Sequence, residues 1–183
     1  MKIERLTDST TLSLDAAGIA RLVVVDAATA AAAVAFVPQA SAWILRRHGI
    51  VVTPAEYRLT VSQNEVVECG EKDYRAMLAI GPLVAGTVVR SAAGQILAGW
   101  HLSRGALVLE NDPKGNVVVE AMVGFVTPPH LLLVAVAVIC VYWARNAADA
   151  AKGEIGAAAH TTGQCLALYE PRRLPAGGDV FQP

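Results

Sequence analysis

The sequence predicts an α+β fold in which an antiparallel β-meander packs against a long C-terminal helix and an alanine-rich N-terminal helix. Three observations support this class. A charge-free apolar run covers residues 131–144, a charge-free alanine-rich window covers residues 27–45, and short β-rich runs alternate with turn residues between 83 and 126. Long apolar or alanine-rich windows favour helices, whereas short β-branched runs bounded by glycine, asparagine and proline favour strands.

The first part of the chain is predicted to contain a hairpin and two helices. Residues 11–14 and 19–25 are β-rich and flank a short link that ends in glycine, which is typical of a β-hairpin. The alanine-rich window predicts one helix over 27–36 and a second over 39–48. Pro38 separates them, because a proline inside a helix removes one backbone hydrogen bond and clashes with the preceding turn.

Residues 53–82 carry conflicting local signals. The TPAE sequence at 53–56 has the form of a capping box, but apolar and polar residues then alternate, and this alternation predicts a strand over 57–68 with a turn near Gln63 and Asn64. A short helix is predicted to open at Glu71 and to end before Gly81.

The meander is predicted from two hairpin patterns. The NDPKG sequence at 111–115 is the strongest turn signal in the chain, because aspartate, proline and glycine each supply a backbone geometry that a turn needs. The first hairpin turns at 91–94. The predicted strands are 87–90, 95–100, 106–110 and 116–120.

The apolar run 131–144 is predicted to form the centre of a single helix over residues 128–152. Thr127 is a suitable N-cap, and Pro128 fits the first helical position because its missing N–H would be unpaired there anyway. At the other end Gly153 follows Lys152, as a glycine follows many helix ends. The valines of the run would also suit a buried strand, but these flanking residues favour a helix.

The chain is predicted to form one domain over residues 1–170. Its 183 residues are enough for a single core, and no linker-like stretch divides them. A short strand over 164–169 and an extended proline-containing tail over 171–183 are predicted to complete it.

The composition indicates a protein partner. Hydrophobic residues make up 54% of the chain and charged residues only 17%, so its surface is expected to be unusually apolar or covered by a partner or another copy. The formal net charge is -1, with no extended basic face, which argues against a nucleic-acid partner because such binding depends on neutralising phosphates.

The start of the chain and the cysteines indicate a cytoplasmic protein. The first residues mix charges without an apolar segment behind them, so no secretory signal is expected. Cysteines stand at 69, 140 and 165, an odd number at wide spacings that does not indicate a disulfide framework. The heavy use of alanine, glycine, valine and arginine is typical of a GC-rich bacterial genome.

The candidate binding residues are Trp100, His101, Ser103 and Arg104. They lie in a predicted loop between two strands, and tryptophan and arginine are frequent anchors of protein contacts. The alternative is a solvated hairpin loop in which Trp100 is half-buried on the core.

Catalytic chemistry is not indicated by any motif. The four histidines are isolated from one another, so no metal site is predicted, and no glycine-rich loop predicts a cofactor. His160 and Cys165 are close in sequence but have no nearby acid to orient them as a dyad. An enzyme is therefore the less favoured class.

Three functional hypotheses remain. The first is a cytoplasmic protein-binding module, either an inhibitor of the immunity-protein kind or a small subunit of a larger assembly. The second is a small-molecule-binding enzyme whose site lies between sheet and helix. The third is a membrane-associated protein with one hydrophobic helix over 121–144; the run 131–144 alone is short for a span, and Pro128 and Pro129 would interrupt the longer one.

Overall fold

The computed structural model describes residues 1–7, 11–69, 73–83, 86–103 and 105–169. These residues form two compact units, which we call the β unit (residues 1–7 and 55–124) and the helical unit (residues 11–54 and 125–169). Antiparallel sheets and several helices confirm the α+β class. The single domain over 1–170 stays a prediction, and the tail 171–183 lies outside the described residues.

The β unit contains two antiparallel sheets of four strands each. The first sheet has the order β1-β2-β8-β5 and the second the order β3-β4-β7-β6. In β2 and β8 every second residue is buried, as expected for strands with one face toward a core. The strands are β1 Lys2–Arg5, β2 Ala55–Val61, β3 Val66–Glu68, β4 Tyr74–Met77, β5 Val88–Ser91, β6 Trp100–Ser103, β7 Ala106–Leu109 and β8 Val117–Val123.

In the β unit a predicted turn is confirmed, but a predicted strand pairing and a predicted helix are wrong. The turn at 91–94 is confirmed, since the Ser91 N–H donates to the Gln95 carbonyl at 2.8 Å. The hairpin predicted across 111–115 is wrong, because β7 and β8 belong to different sheets although they are consecutive in the chain. The helix predicted from Glu71 is also wrong: residues 71 and 72 lie outside the described part, and β4 follows at Tyr74.

A row of alternating charges crosses the first sheet. Glu4 lies opposite Arg58, and Arg58 lies opposite Glu120 in the strand register. Arg58 Nη2 is 2.8 Å from Glu120 Oε1, and Arg90 Nε is 3.5 Å from Glu120 Oε2. The hydrogen bond from Arg58, helped by the charge of Arg90, lowers the pKa of Glu120 below its usual value.

We predict that Glu120 contributes to the pH dependence of thermal stability. Because its pKa is lower in the folded than in the unfolded chain, the contribution is complete above pH 4.5 and is lost as the pH falls through the folded-state pKa. Melting temperatures of the wild type and Glu120→Gln should therefore differ most near neutral pH and converge in acid. A difference that stays constant down to acid pH would contradict this.

The helical unit is built around one apolar helix. Its helices are α1 Ala16–Leu22, α2 Ala27–Ala33, α3 Val37–His48, α4 His130–Arg145, α5 Ala147–Lys152 and α6 Ala159–Leu166. α4 contributes Leu132, Ile139 and Trp143, each with none of its surface exposed, to a buried cluster shared with α2, α3 and α6. The two alanine-rich helices predicted at 27–36 and 39–48 are thus confirmed, with a 3₁₀ turn, Val34–Phe36, joining them.

The predicted N-terminal hairpin is wrong because its turn is a helix start. The Asp15 carboxylate accepts a hydrogen bond from the Gly18 N–H at 2.7 Å and caps α1. The strand predicted over 164–169 is also wrong, since α6 runs to Leu166. Both segments bury apolar residues of a helical face, Ile19 in α1 and Leu166 in α6.

The predicted long C-terminal helix is interrupted at Asn146. This residue has φ −132° and ψ 69°, outside the helical range, and its side-chain amide donates to the Tyr142 carbonyl at 2.9 Å. The helix also begins later than predicted, at His130 after an N-cap at Pro129. The single hydrophobic helix over 121–144 is wrong as well, because residues 121–123 belong to β8.

The helical segment Ala27–His48 is long and apolar enough to cross a membrane on length and composition alone. A buried core helix meets the same criterion, and 33% of the most apolar window of this segment is buried. Ala33, Ala40 and Ile44 are fully covered within the helical unit. Core packing therefore explains part of its apolar composition.

Side chains from α3 and α4 hold the C-terminal end of α5 and the two residues that follow it. Each donates a side-chain N–H to a backbone carbonyl at or just beyond the helix end, where the helix itself supplies few donors. The three pairs are Gln39 Nε2 to Ala150 O at 2.7 Å, Trp43 Nε1 to Gly153 O at 2.8 Å, and Trp143 Nε1 to Glu154 O at 2.6 Å.

We predict that the three cysteines differ in reactivity. Burial raises the pKa of Cys140 to about 12 and also raises the pKa of Cys165, whereas Cys69 is only half-buried. A thiol reagent at neutral pH should label Cys69 in the folded protein and the other two only after unfolding, because the thiolate is the reactive form. Intact mass after labelling measures this. Fast labelling of the folded Cys69→Ser variant would contradict it.

Candidate assembly surface

The predicted binding residues lie on a strand rather than in a loop. Trp100, His101 and Ser103 belong to β6, which pairs with β7 at the edge of the second sheet. His101 is exposed, and Trp100 and Ser103 are half-buried. Arg104 lies outside the described residues.

Local backbone chemistry fixes where β6 begins. Gly99 has φ +70°, a left-handed value that favours glycine, and its carbonyl accepts a hydrogen bond from the Glu110 N–H at 2.8 Å. A Cβ at position 99 would lie 2.5 Å from Glu110 Oε2. The chain therefore enters β6 through a conformation and a space that suit glycine.

The strand separates the predicted residues onto two faces. Successive side chains of a strand point to opposite sides, so Trp100 shares one face with Leu102, and His101 shares the other with Ser103. Trp100 and His101 do not converge on one ligand. What the residues share is their position at a sheet edge.

This edge has few of the features that protect sheet edges from pairing. Edge strands are commonly protected by charged residues or proline, and β6, with the sequence WHLS, contains no Lys, Arg, Asp, Glu or Pro. The opposite edge of the same sheet is β3, with the sequence VVE. Leu102 is 38% exposed and Val67 of β3 is 47% exposed. The strand predicted over 57–68 includes β3, but the sequence did not indicate that β3 forms the other edge of this sheet.

The described residues present little catalytic chemistry. No group of three or more His, Cys, Asp or Glu side chains among them could hold a metal ion. His160 is exposed and Cys165 is buried on α6, so a nucleophile–base pair is not formed there. His130, at the start of α4, is exposed.

Comparison with known proteins identifies the fold. No protein-family model matches the chain, and no curated protein sequence matches it. A chain from the neck of an empty gene transfer agent (GTA) particle, computed with C6 symmetry, matches with a TM-score of 0.65 and 20% identity, over 97% of this chain and 99% of that chain.

Two further solved structures give the same result. A chain from the neck of a native GTA particle, computed with C12 symmetry, has a TM-score of 0.62 and 20% identity. A chain from the virion of a native GTA particle has a TM-score of 0.62 and 17% identity. Both matches cover 97% of this chain and 99% of the other. The protein therefore shares the complete fold of these particle chains.

Proposed function

We propose that this chain is a structural subunit of the neck of a particle of the gene-transfer-agent type, in which copies of the chain are related by cyclic symmetry. The observation that carries the proposal is the extent of the fold match. It covers 97% of this chain and 99% of the neck chain, so the match includes both the β unit and the helical unit.

The surface of the chain supports self-association. A low charged fraction of 17% and exposed apolar side chains at strand edges, such as Val67 and Leu102, are features of proteins that bury surface against other copies. Of the two forms of the protein-binding hypothesis, these observations support the assembly subunit; none favours the inhibitor. We retain the cytoplasm as the proposed location.

The purified chain should form a discrete oligomer. Size-exclusion chromatography with light scattering, over a wide range of concentrations, should give one defined mass that is a multiple of the 19.1 kDa chain. In cells of the source organism, the chain should sediment with virus-sized particles that resist nuclease treatment.

Two results together would contradict the proposal. One is a chain that stays monomeric at every concentration. The other is its absence from the particle fraction of cells that produce it. A monomer that nevertheless sediments with particles would support the neck role and indicate that assembly needs another particle component.

A further inference from the structure

We infer that neighbouring copies join their second sheets edge to edge, with β6 of one copy pairing antiparallel with β3 of the next. This inference rests on the proposed function. A cyclic assembly is built from two different surfaces of each subunit that fit one another. The second sheet offers two such surfaces, because β3 and β6 are its opposite edges and no other described strand pairs with either.

The first sheet is less suited to this role. The outer side of β5 is covered by the chain that follows it, since the Leu97 N–H donates to the Val89 carbonyl at 2.9 Å. Its other edge, β1, has the sequence KIER, and three of these four residues carry charges. Charged edges resist pairing, so only the second sheet has two accessible edges with few charges among the described residues.

The strand directions fit a head-to-tail arrangement. All neighbouring strands of the second sheet are antiparallel, and the sheet has four strands. β3 and β6 of one copy therefore run in opposite directions. A second copy placed beside the first by a simple rotation presents its β3 antiparallel to β6, so the ladder continues without reversing a strand.

The backbone groups at the two edges also match. Gly99 and Glu110 form a hydrogen-bonded pair, because the Glu110 N–H donates to the Gly99 carbonyl. Antiparallel pairs alternate between hydrogen-bonded and non-hydrogen-bonded. The N–H and C=O groups of Trp100 and Leu102 therefore point away from β7. On β3 the Cys69 N–H donates to the Asp73 carbonyl at 2.6 Å. By the same alternation, Val66 and Glu68 direct their groups away from β4.

One register gives each of these outward-pointing N–H and C=O groups a hydrogen-bond partner. Trp100 faces Glu68 of the next copy and Leu102 faces its Val66, and each such pair exchanges two N–H···O bonds. His101 then lies opposite Val67 as the non-hydrogen-bonded pair between them. Each side chain stays on the same face of the joined sheet as in a single copy. The strand register within one copy already places a row of side chains on one face: Val67, Arg75, Val108 and His101.

The register is tested by a disulfide between copies. In a Cys69→Ser background, Val67→Cys and His101→Cys place two thiols at a non-hydrogen-bonded pair, where Cα atoms are about 4.5 Å apart, within the range for a disulfide. Within one copy the same positions are three strand spacings apart, roughly 14 Å, which is too far. Mild oxidation should therefore give a ladder of linked chains on a non-reducing gel.

The matched control is Val67→Cys with Leu102→Cys. In the inferred register these residues lie on opposite faces of the joined sheet, so linkage should fall at least tenfold. If the oligomer forms but the two cysteine pairs link equally, or neither links, edge pairing is wrong and the proposed function stands. If the Cys69→Ser chain forms no oligomer, alone or in particles, the proposed function and this inference both fail.

A second variant tests the edge without cysteines. Leu102→Pro removes an N–H that points outward, so the pairing of β6 with β7 keeps its hydrogen bonds. The oligomer should dissociate while the separated chain keeps the far-UV circular dichroism spectrum of Leu102→Ala, which retains the N–H and the oligomer. An intact Leu102→Pro oligomer would overturn the inference.

Discussion

Replacing Gly156 by alanine is expected to destabilise the protein by roughly 2 kcal/mol or more, because the change adds both a steric clash and backbone strain. Gly156 has φ +32°, and a Cβ there would lie 2.1 Å from Tyr142 Oη and 2.9 Å from Tyr142 Cζ. The phenol has little freedom to withdraw, since its hydroxyl donates a hydrogen bond to Asp149 Oδ2.

The matched control is Gly163→Ala. Gly163 lies inside α6, and a Cβ there meets nothing within 4 Å. Alanine should stabilise the helix by about 0.5–1 kcal/mol because it loses less backbone entropy on folding. Urea denaturation of both variants measures the two free energies of unfolding. A Gly156→Ala chain as stable as the wild type would contradict the close packing at Tyr142.

Replacing Trp143 by alanine is expected to lower the free energy of unfolding by about 4 kcal/mol. Trp143 is fully buried in the helical unit, and its ring packs against Phe36 with centroids 6.2 Å apart. The change leaves a cavity and also removes the N–H that pairs with the Glu154 carbonyl. The lost hydrogen bond adds to the destabilisation.

Two variants separate these contributions. Trp143→Phe keeps much of the apolar volume and removes the hydrogen bond, so it should cost distinctly less than alanine, with about 0.5–1.5 kcal/mol from the lost hydrogen bond. Leu168→Ala removes an apolar side chain that is 74% exposed and should change stability by less than about 0.5 kcal/mol. Equal losses for Trp143→Ala and Leu168→Ala would contradict the assignment of Trp143 to the core.

The sequence was sufficient where local chemistry determines the conformation. The α+β class, the two alanine-rich helices and the turn at 91–94 follow from propensity and turn residues. Where the same residues suit two different local structures, the prediction was wrong. Asp15 followed by Gly18 fits a hairpin turn, but the same carboxylate caps α1, and burial of Ile19 favours the helix.

Which strands pair across the NDPKG turn could not be predicted from local sequence. The turn does connect two strands, but β7 pairs with β6 and β4, and β8 pairs with β2 and β5. Asn146 is another such case. It is a weak helix former in an otherwise strong helical sequence, and the structure ends α4 there.

The candidate site was located in part. Trp100, His101 and Ser103 were singled out for their side-chain types, and the structure places them at an edge where the backbone supplies the bonding groups. Side-chain composition does not show which strands become sheet edges. Residues 66–68 were predicted to be extended, but not to form an edge, since edge position depends on the order of all four strands.

Electron microscopy of the oligomer, recombinant or taken from particles, tests whether the chain forms a ring. We expect closed rings whose end views have sixfold or twelvefold symmetry, the symmetries with which the similar neck structures were computed. Twofold dimers in which the same surface meets itself, or a chain that is monomeric and also absent from particles, would contradict it.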